Sequence, residues 1–100
     1  MQLREVVITG ALRTAIGDFG GSLKDARPSE LATQLVAESV KRYGVDPASV
    51  GHCVFGNVLP TESRDLYLSR VAALEGGLTE RCVAMSVNRL CGSGLQAVIS

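Results

Sequence analysis

Within this 100-residue sequence, one segment combines residue types at a spacing that could do chemistry: Asn88-Arg89-Leu90-Cys91-Gly92-Ser93-Gly94. It lies between the apolar run Arg81–Val87 and the apolar run Leu95–Ile99, and reads as a sharp turn from a strand into a helix. In open α/β sheets, functional groups gather at the carboxyl ends of strands, which is where this turn places Cys91. The thiolate is the nucleophilic form of cysteine, and the positive end of a helix dipole favours negative charge on a thiol placed there. Gly92, Ser93 and Gly94 are small enough for a substrate and the backbone to approach each other closely. The N–H groups of a first helical turn lack intrahelical partners and could donate to the oxyanion formed when a thioester carbonyl is attacked. The chemistry open to such a thiol is nucleophilic attack on a carbonyl, a thioester's included. The layout is analogous to the strand–nucleophile–helix elbow of hydrolases, although the spacing is not Gly-x-Ser-x-Gly.

A competing reading treats Gly92-Ser93-Gly94 as a phosphate cradle, since anion-binding loops also follow a strand and open a helix. The dinucleotide fingerprint needs a third glycine, and position 97 is alanine. The glycines from Gly17 to Gly21 have no Lys-Ser/Thr partner of the P-loop kind. Cys53 and Cys82 lie inside apolar runs and read as small buried hydrophobes. His52 could act as a general base, but it opens a strand and nothing in the sequence brings it to Cys91. Asp18, Asp25, Glu62 and Asp65 fall in loops or at helix starts, where carboxylates serve as caps or solvated charges. Arg64, Asp65 and Arg70 read as a solvated face or an interface. No set of His and Cys has the spacing of a tetrahedral metal site.

The elements that must position Cys91 follow from periodicity and punctuation. Glu5–Gly10 is a β-branched run closed by glycine and predicts a buried strand, followed by a glycine-rich loop to Ser22. Pro28 and Ser29 open a helix whose apolar face is Leu31, Ala32, Leu35, Val36, Val40 and Tyr43. Lys41 and Arg42 suit its last turn and Gly44 ends it. Asp46-Pro47 predicts a capped short turn. A second strand is expected at His52–Gly56, a second helix at Asp65–Leu74 with Leu66, Arg70 and Leu74 in register, a third strand at Arg81–Val87, and a last helix to the end. This β-α-β-α-β-α order predicts an α/β fold with a parallel sheet.

Composition narrows the class of function. Ten basic residues balance ten acidic ones, so there is no electrostatic footprint for nucleic acid or an anionic membrane. Hydrophobic residues are 46% and charged residues 20%, which is globular rather than disordered. The opening Met1-Gln2-Leu3-Arg4-Glu5 lacks the pattern of a secretory leader, and no apolar stretch reaches the roughly 18 residues of a membrane span. Three cysteines, an odd count, predict free thiols in a reducing cytoplasm. Leu95–Ser100 carries no helix stop signal, which predicts that the chain is the first part of a longer protein.

The segment Val87–Ala97 strongly resembles the nucleophile segment of thiolases, the acetyl-CoA acetyltransferase or β-ketothiolase family. Two further stretches match the N-terminal region of that family in the same order: Arg13–Leu23, and Phe55–Leu59 leading into Arg64-Asp65-Leu66-Tyr67. The Glu62–Asp65 loop looks more like the β-ketothiolase branch. The resemblance covers essentially the whole chain and implies residues 1–100 of a thiolase N-terminal domain, the β-α-β-α-β-α part of its first mixed-sheet half.

By this resemblance, Cys91 attacks an acyl-CoA thioester and carries the acyl group. A second acetyl-CoA, deprotonated at its α-carbon, condenses with that acyl group, or free CoA cleaves a 3-ketoacyl-CoA in the reverse direction. The Cys91 N–H would help form an oxyanion hole. Coenzyme A thioesters are then substrates, no metal or prosthetic group is implied, and a homodimer or homotetramer is expected, with the Asn57–Asp65 loop either at its interface or a plain surface loop. The departures are of length and motif. Thiolases are several times longer, and their Asn-Glu-Ala-Phe, Gly-His-Pro and Cys-x-Gly motifs do not occur in these residues. Neither Cys53 nor Cys82 matches the acid/base cysteine, His52 does not match the Gly-His-Pro histidine, and 100 residues alone are expected to be inactive. Two alternatives remain at this point: a ketoacyl-synthase-type condensing enzyme acting on carrier-protein thioesters, and a non-catalytic α/β binding module.

Overall fold

The computed structural model describes residues 2–100. Helix α1 spans Pro28–Arg42, with proline in its first turn and Lys41 and Arg42 in its last. Its C-terminus closes as a Schellman motif. Gly44 takes φ +60°, its N–H donates to the Lys41 carbonyl, and the Val45 N–H reaches back to Val40 at 3.0 Å. A single 3-10 turn follows at Pro47–Ser49, capped by the Asp46 carboxylate, which accepts from the Ala48 N–H at 3.0 Å. Strand β1 is His52–Gly56 and strand β2 is Val83–Val87. They pair in parallel, from His52 opposite Val83 to Gly56 opposite Val87.

Parallel strands need a crossover, and this one is a 3-10 turn at Ser63–Tyr67 running into helix α2, Leu68–Glu75. The helix predicted over Asp65–Leu74 therefore begins three residues later. Its buried face also differs from the expected one. Leu66 and Leu74 are exposed, whereas Leu68, Ser69, Ala72 and Ala73 are buried. The face that meets the sheet is defined by small size rather than by large apolar residues, which lets the helix lie close to the strands. Ala72 and Ala73 are 0% exposed and Ser69 is 1%. The Ser69 hydroxyl sits at the seam between the strands. It accepts from the Phe55 N–H at 3.1 Å and donates to the Met85 carbonyl at 2.8 Å. Arg70 ties the helix to the approach of β2 through the Cys82 carbonyl at 2.9 Å. Helix α3, Ser93–Ile99, completes the order.

The strand expected at Glu5–Gly10 does not form. Val6 is 86% exposed and Ile8 is 83%, and the sheet among the described residues has two strands. An apolar run becomes a strand only where a sheet edge receives its N–H and C=O groups. Here the arm is fastened elsewhere. The Tyr43 hydroxyl accepts from the Ala11 N–H at 3.1 Å and donates to the Ala11 carbonyl at 3.0 Å. A groove of about 370 Å³, lined by Thr9–Leu12 on one side and Cys53, Phe55 and Val36 on the other, separates arm from sheet.

Asp65 is the cap its position at a helix start predicts, accepting from the Glu62 N–H at the N-cap, but it is not a solvated charge. It is 2% exposed, and its Oδ2 accepts from the Thr61 N–H at 2.6 Å, the Thr61 hydroxyl at 2.7 Å and the Glu62 N–H at 3.2 Å. The Thr61 hydroxyl foremost, then the Thr61 and Glu62 amides, hold this carboxyl below the usual carboxylate range against the opposing effect of burial.

Two stability predictions follow, both for the protein that carries this chain. Ala73→Leu forces side-chain volume into a contact with no clearance and lowers stability by roughly 3 kcal/mol, read as a reduced urea midpoint with unchanged m-value. Asp65 has a depressed native pKa, so its contribution is present above about pH 4 and is lost as pH falls through the native value. Asp65→Asn is therefore less stable near neutrality, and its melting temperature falls less steeply below about pH 4 than that of the parent. An unchanged acid slope overturns this assignment.

Candidate active site

β1 and β2 end level with one another, and their next residues build the site. The Asn57 N–H donates to the Val87 carbonyl at 3.0 Å, carrying the pairing one step past the strands. Asn88 then turns the chain. Its Oδ1 accepts from the Leu90 N–H at 3.0 Å, an Asx turn, while its Nδ2 donates to the Val58 carbonyl at 3.4 Å. Leu90 adopts φ +47° and is the one non-glycine residue at positive φ among the described residues. That conformation costs a leucine about 1–2 kcal/mol. Hydrogen bonds on both sides of it, at about 1 kcal/mol each, are enough to hold it. Besides the Asn88 bond, the Ser93 hydroxyl accepts from the Arg89 N–H and donates to the Leu90 carbonyl, both at 2.7 Å.

Cys91 stands inside this turn with its side chain exposed, two residues before the first residue of α3. The sequence placed it in this turn, between strand and helix, and the structure keeps it there. The Gly92 and Ser93 N–H groups are engaged by the Arg89 and Leu90 carbonyls at 2.9 and 3.1 Å. Those two amides are thus not free for an oxyanion, as had been expected. The Cys91 N–H has no hydrogen-bond partner among the described residues. Gly56 and Gly92 supply clearance. A Cβ on Gly56 would lie 2.7 Å from the Ser93 carbonyl carbon, and one on Gly92 would lie 3.1 Å from an Arg89 guanidinium nitrogen.

The other candidates are not brought here. His52 pairs with Val83 at the opposite end of the strands, about 13 Å away along a five-residue strand. Cys53 and Cys82 are buried. Burial pushes the Cys53 thiol up to about 11, with Cys82 adding to the shift, so Cys53 stays a neutral thiol. Arg64 pairs with Glu75 on the surface. No group of three metal-ligating side chains occurs among the described residues, and no described helix is long and apolar enough to cross a membrane. The turn-holding roles of two residues of this segment were not read from the sequence. Asn88 had a readable signal, the Asx turn typical of asparagine before a tight bend. Ser93 had none, because its partners become neighbours only once the turn exists.

This geometry sits in a chain with clear relatives. Residues 6–100 match the family described as thiolase, N-terminal domain. The beta-ketothiolase BktB of Cupriavidus necator is 59% identical over 97 residues, which is 97% of this chain and 25% of that protein. The mitochondrial 3-ketoacyl-CoA thiolase of Bos taurus is 39% identical over 98 residues, covering 98% of this chain and 25% of its own. The crystal structure of human mitochondrial 3-ketoacyl-CoA thiolase, solved also in complex with CoA, superposes with TM-score 0.78 at 35% identity over 83% of this chain and 21% of that one. The chain thus spans about a quarter of the length of the curated relatives it matches. With its α/β order, its level strand ends and its cysteine-bearing turn, it belongs to the thiolase family, whose N-terminal domain it matches.

Proposed function

We infer that the protein carrying this chain is an acyl-CoA C-acyltransferase that makes or cleaves 3-ketoacyl-CoA through an acyl thioester on Cys91. One observation carries the assignment to this residue: of three free cysteines, Cys91 alone is exposed, on a turn at the carboxyl ends of the strands. The names of the relatives, beta-ketothiolase and 3-ketoacyl-CoA thiolase, support the reaction class.

The Cys91 Sγ gives up its proton and bonds to the thioester carbonyl carbon. The tetrahedral oxyanion collapses, and CoA leaves as a thiolate that takes up a proton. In condensation, a second acetyl-CoA gives up an α-proton, its α-carbon attacks the acyl carbon, a carbon–carbon bond forms, and Cys91 departs as a thiolate that takes up a proton. In thiolysis the steps run backwards: Cys91 attacks the 3-keto carbon, the carbon–carbon bond breaks, acetyl-CoA leaves as the carbanion and takes up a proton, and the CoA thiol then takes the acyl group from Cys91. The Cys91 N–H, without a partner among the described residues, is the donor this chain offers to the oxyanion. CoA thioesters are the substrates, and no prosthetic group enters the sequence of steps. The protein acts as a homodimer or homotetramer in the cytoplasm, where the thiols of this chain stay reduced.

Mixing the protein with acetyl-CoA is expected to add the mass of one acyl group to the peptide containing Cys91. Cys91→Ala abolishes that increment and lowers turnover by roughly 10⁴-fold or more. Acylation that persists after the substitution overturns the assignment. Brief treatment with iodoacetamide labels Cys91 in the native protein, whereas Cys53 and Cys82 react only after denaturation. Peptide mapping checks that order. Light scattering checks the assembly, and a monomer overturns that part.

A further inference from the structure

Ser93 is 5% exposed, yet its hydroxyl does not cap the helix it begins. It reaches backwards instead, bonding the Arg89 N–H on one side of Leu90 and the Leu90 carbonyl on the other, both at 2.7 Å. Those bonds close a loop of backbone around the left-handed residue and the cysteine that follows it. Ser93 itself has no freedom to shift toward the sheet. A Cβ on Gly56 would meet its carbonyl carbon, carbonyl oxygen and Cβ at 2.7, 2.8 and 2.9 Å. One end of the clamp is therefore seated on the end of β1, and the other holds the only non-glycine left-handed residue among the described ones. Cys91 hangs between these two fixed points.

The geometry points to Ser93 as a positioning residue for the Cys91 thiol: its hydroxyl holds Leu90 left-handed, and that conformation turns Cys91 outward for attack on the acyl thioester. The inference rests on the reading of Cys91 as acyl acceptor. Ser93 touches no reacting atom in this scheme, because its hydroxyl is engaged by the backbone on both sides. It differs from a serine that merely fills space. A filler serves equally well as alanine, and its loss has no reason to be repaired by a change at position 90.

The test uses the protein that carries this chain, with Ser93→Ala, Leu90→Gly, the two together, and Cys91→Ala. Ser93→Ala is expected to lower kcat for thiolysis on the order of 10²-fold with KM little changed, and to slow acylation of Cys91 in parallel. Adding Leu90→Gly restores most of the lost kcat, since glycine takes the left-handed conformation without help. Wild-type kcat in Ser93→Ala overturns the inference. So does a loss carried by KM, or one that Leu90→Gly does not repair. If Ser93→Ala cannot be recovered in soluble form, the double variant decides. Soluble protein that transfers acyl groups supports the clamp, and insoluble or inactive protein overturns it. Continued acylation in Cys91→Ala would instead sink the reading of Cys91, leaving a result distinct from any failure at Ser93.

Discussion

The structure depends on how closely α2 can lie on two parallel strands. A parallel pair cannot be joined by a tight turn, so the chain must leave β1, cross over, and return at the same end. The crossover is held by a contact with almost no clearance, made by Ser69, Ala72 and Ala73. Larger side chains there would lift the helix. The Ser69 hydroxyl could then no longer reach both the Phe55 N–H and the Met85 carbonyl at the seam. That seam fixes the register, and the register brings Gly56 level with Val87. Everything at the site is built on that shared edge. Asn57 extends the pairing, Asn88 leans across to Val58, and α3 begins against the bare Cα of Gly56.

Much of this was legible in the residues. Helix α1 carries a stripe of aliphatic residues, proline at its start, basic residues in its last turn and glycine beyond, and it forms where those signals put it. β1 lies between glycine and a loop and forms over the residues expected, His52–Gly56. Cys91 stands in the turn its neighbours announced. Each of these depends on local order along the chain, which a sequence displays directly.

The misreadings share a different cause. Val6–Ile8 has the composition of a strand, but composition cannot say whether an edge is there to pair with, and Tyr43 fastens the arm at Ala11. The face of α2 was misjudged because hydrophobic patterning weights large side chains, whereas this face is selected for smallness. Asp65 was readable as a cap or a solvated charge, and it is a cap, but a buried one. It is buried because Thr61 and Glu62 fold back to supply three donors to one oxygen, an arrangement set by the 3-10 turn and not by the residue. Such facts belong to contacts, and contacts follow only from the fold.

The turn around Cys91 shows how the same residue type meets two different environments in one chain. Cys53 and Cys82 pack inside the core between α2 and the strands, where desolvation keeps the Cys53 thiol protonated and inert. Cys91 escapes that fate through backbone geometry alone, since nothing in its side chain differs. The turn uses glycine where a neighbour needs clearance, at Gly56 and Gly92, and tolerates leucine where glycine would be the relaxed choice, at the left-handed position 90. A glycine there would relieve the strain but add conformational freedom beside the thiol. Leucine, held by hydrogen bonds from Asn88 and Ser93, exchanges some stability for a single orientation. In the role proposed for Cys91, where the thiol meets a carbonyl carbon at bonding approach, a fixed orientation is the more valuable property.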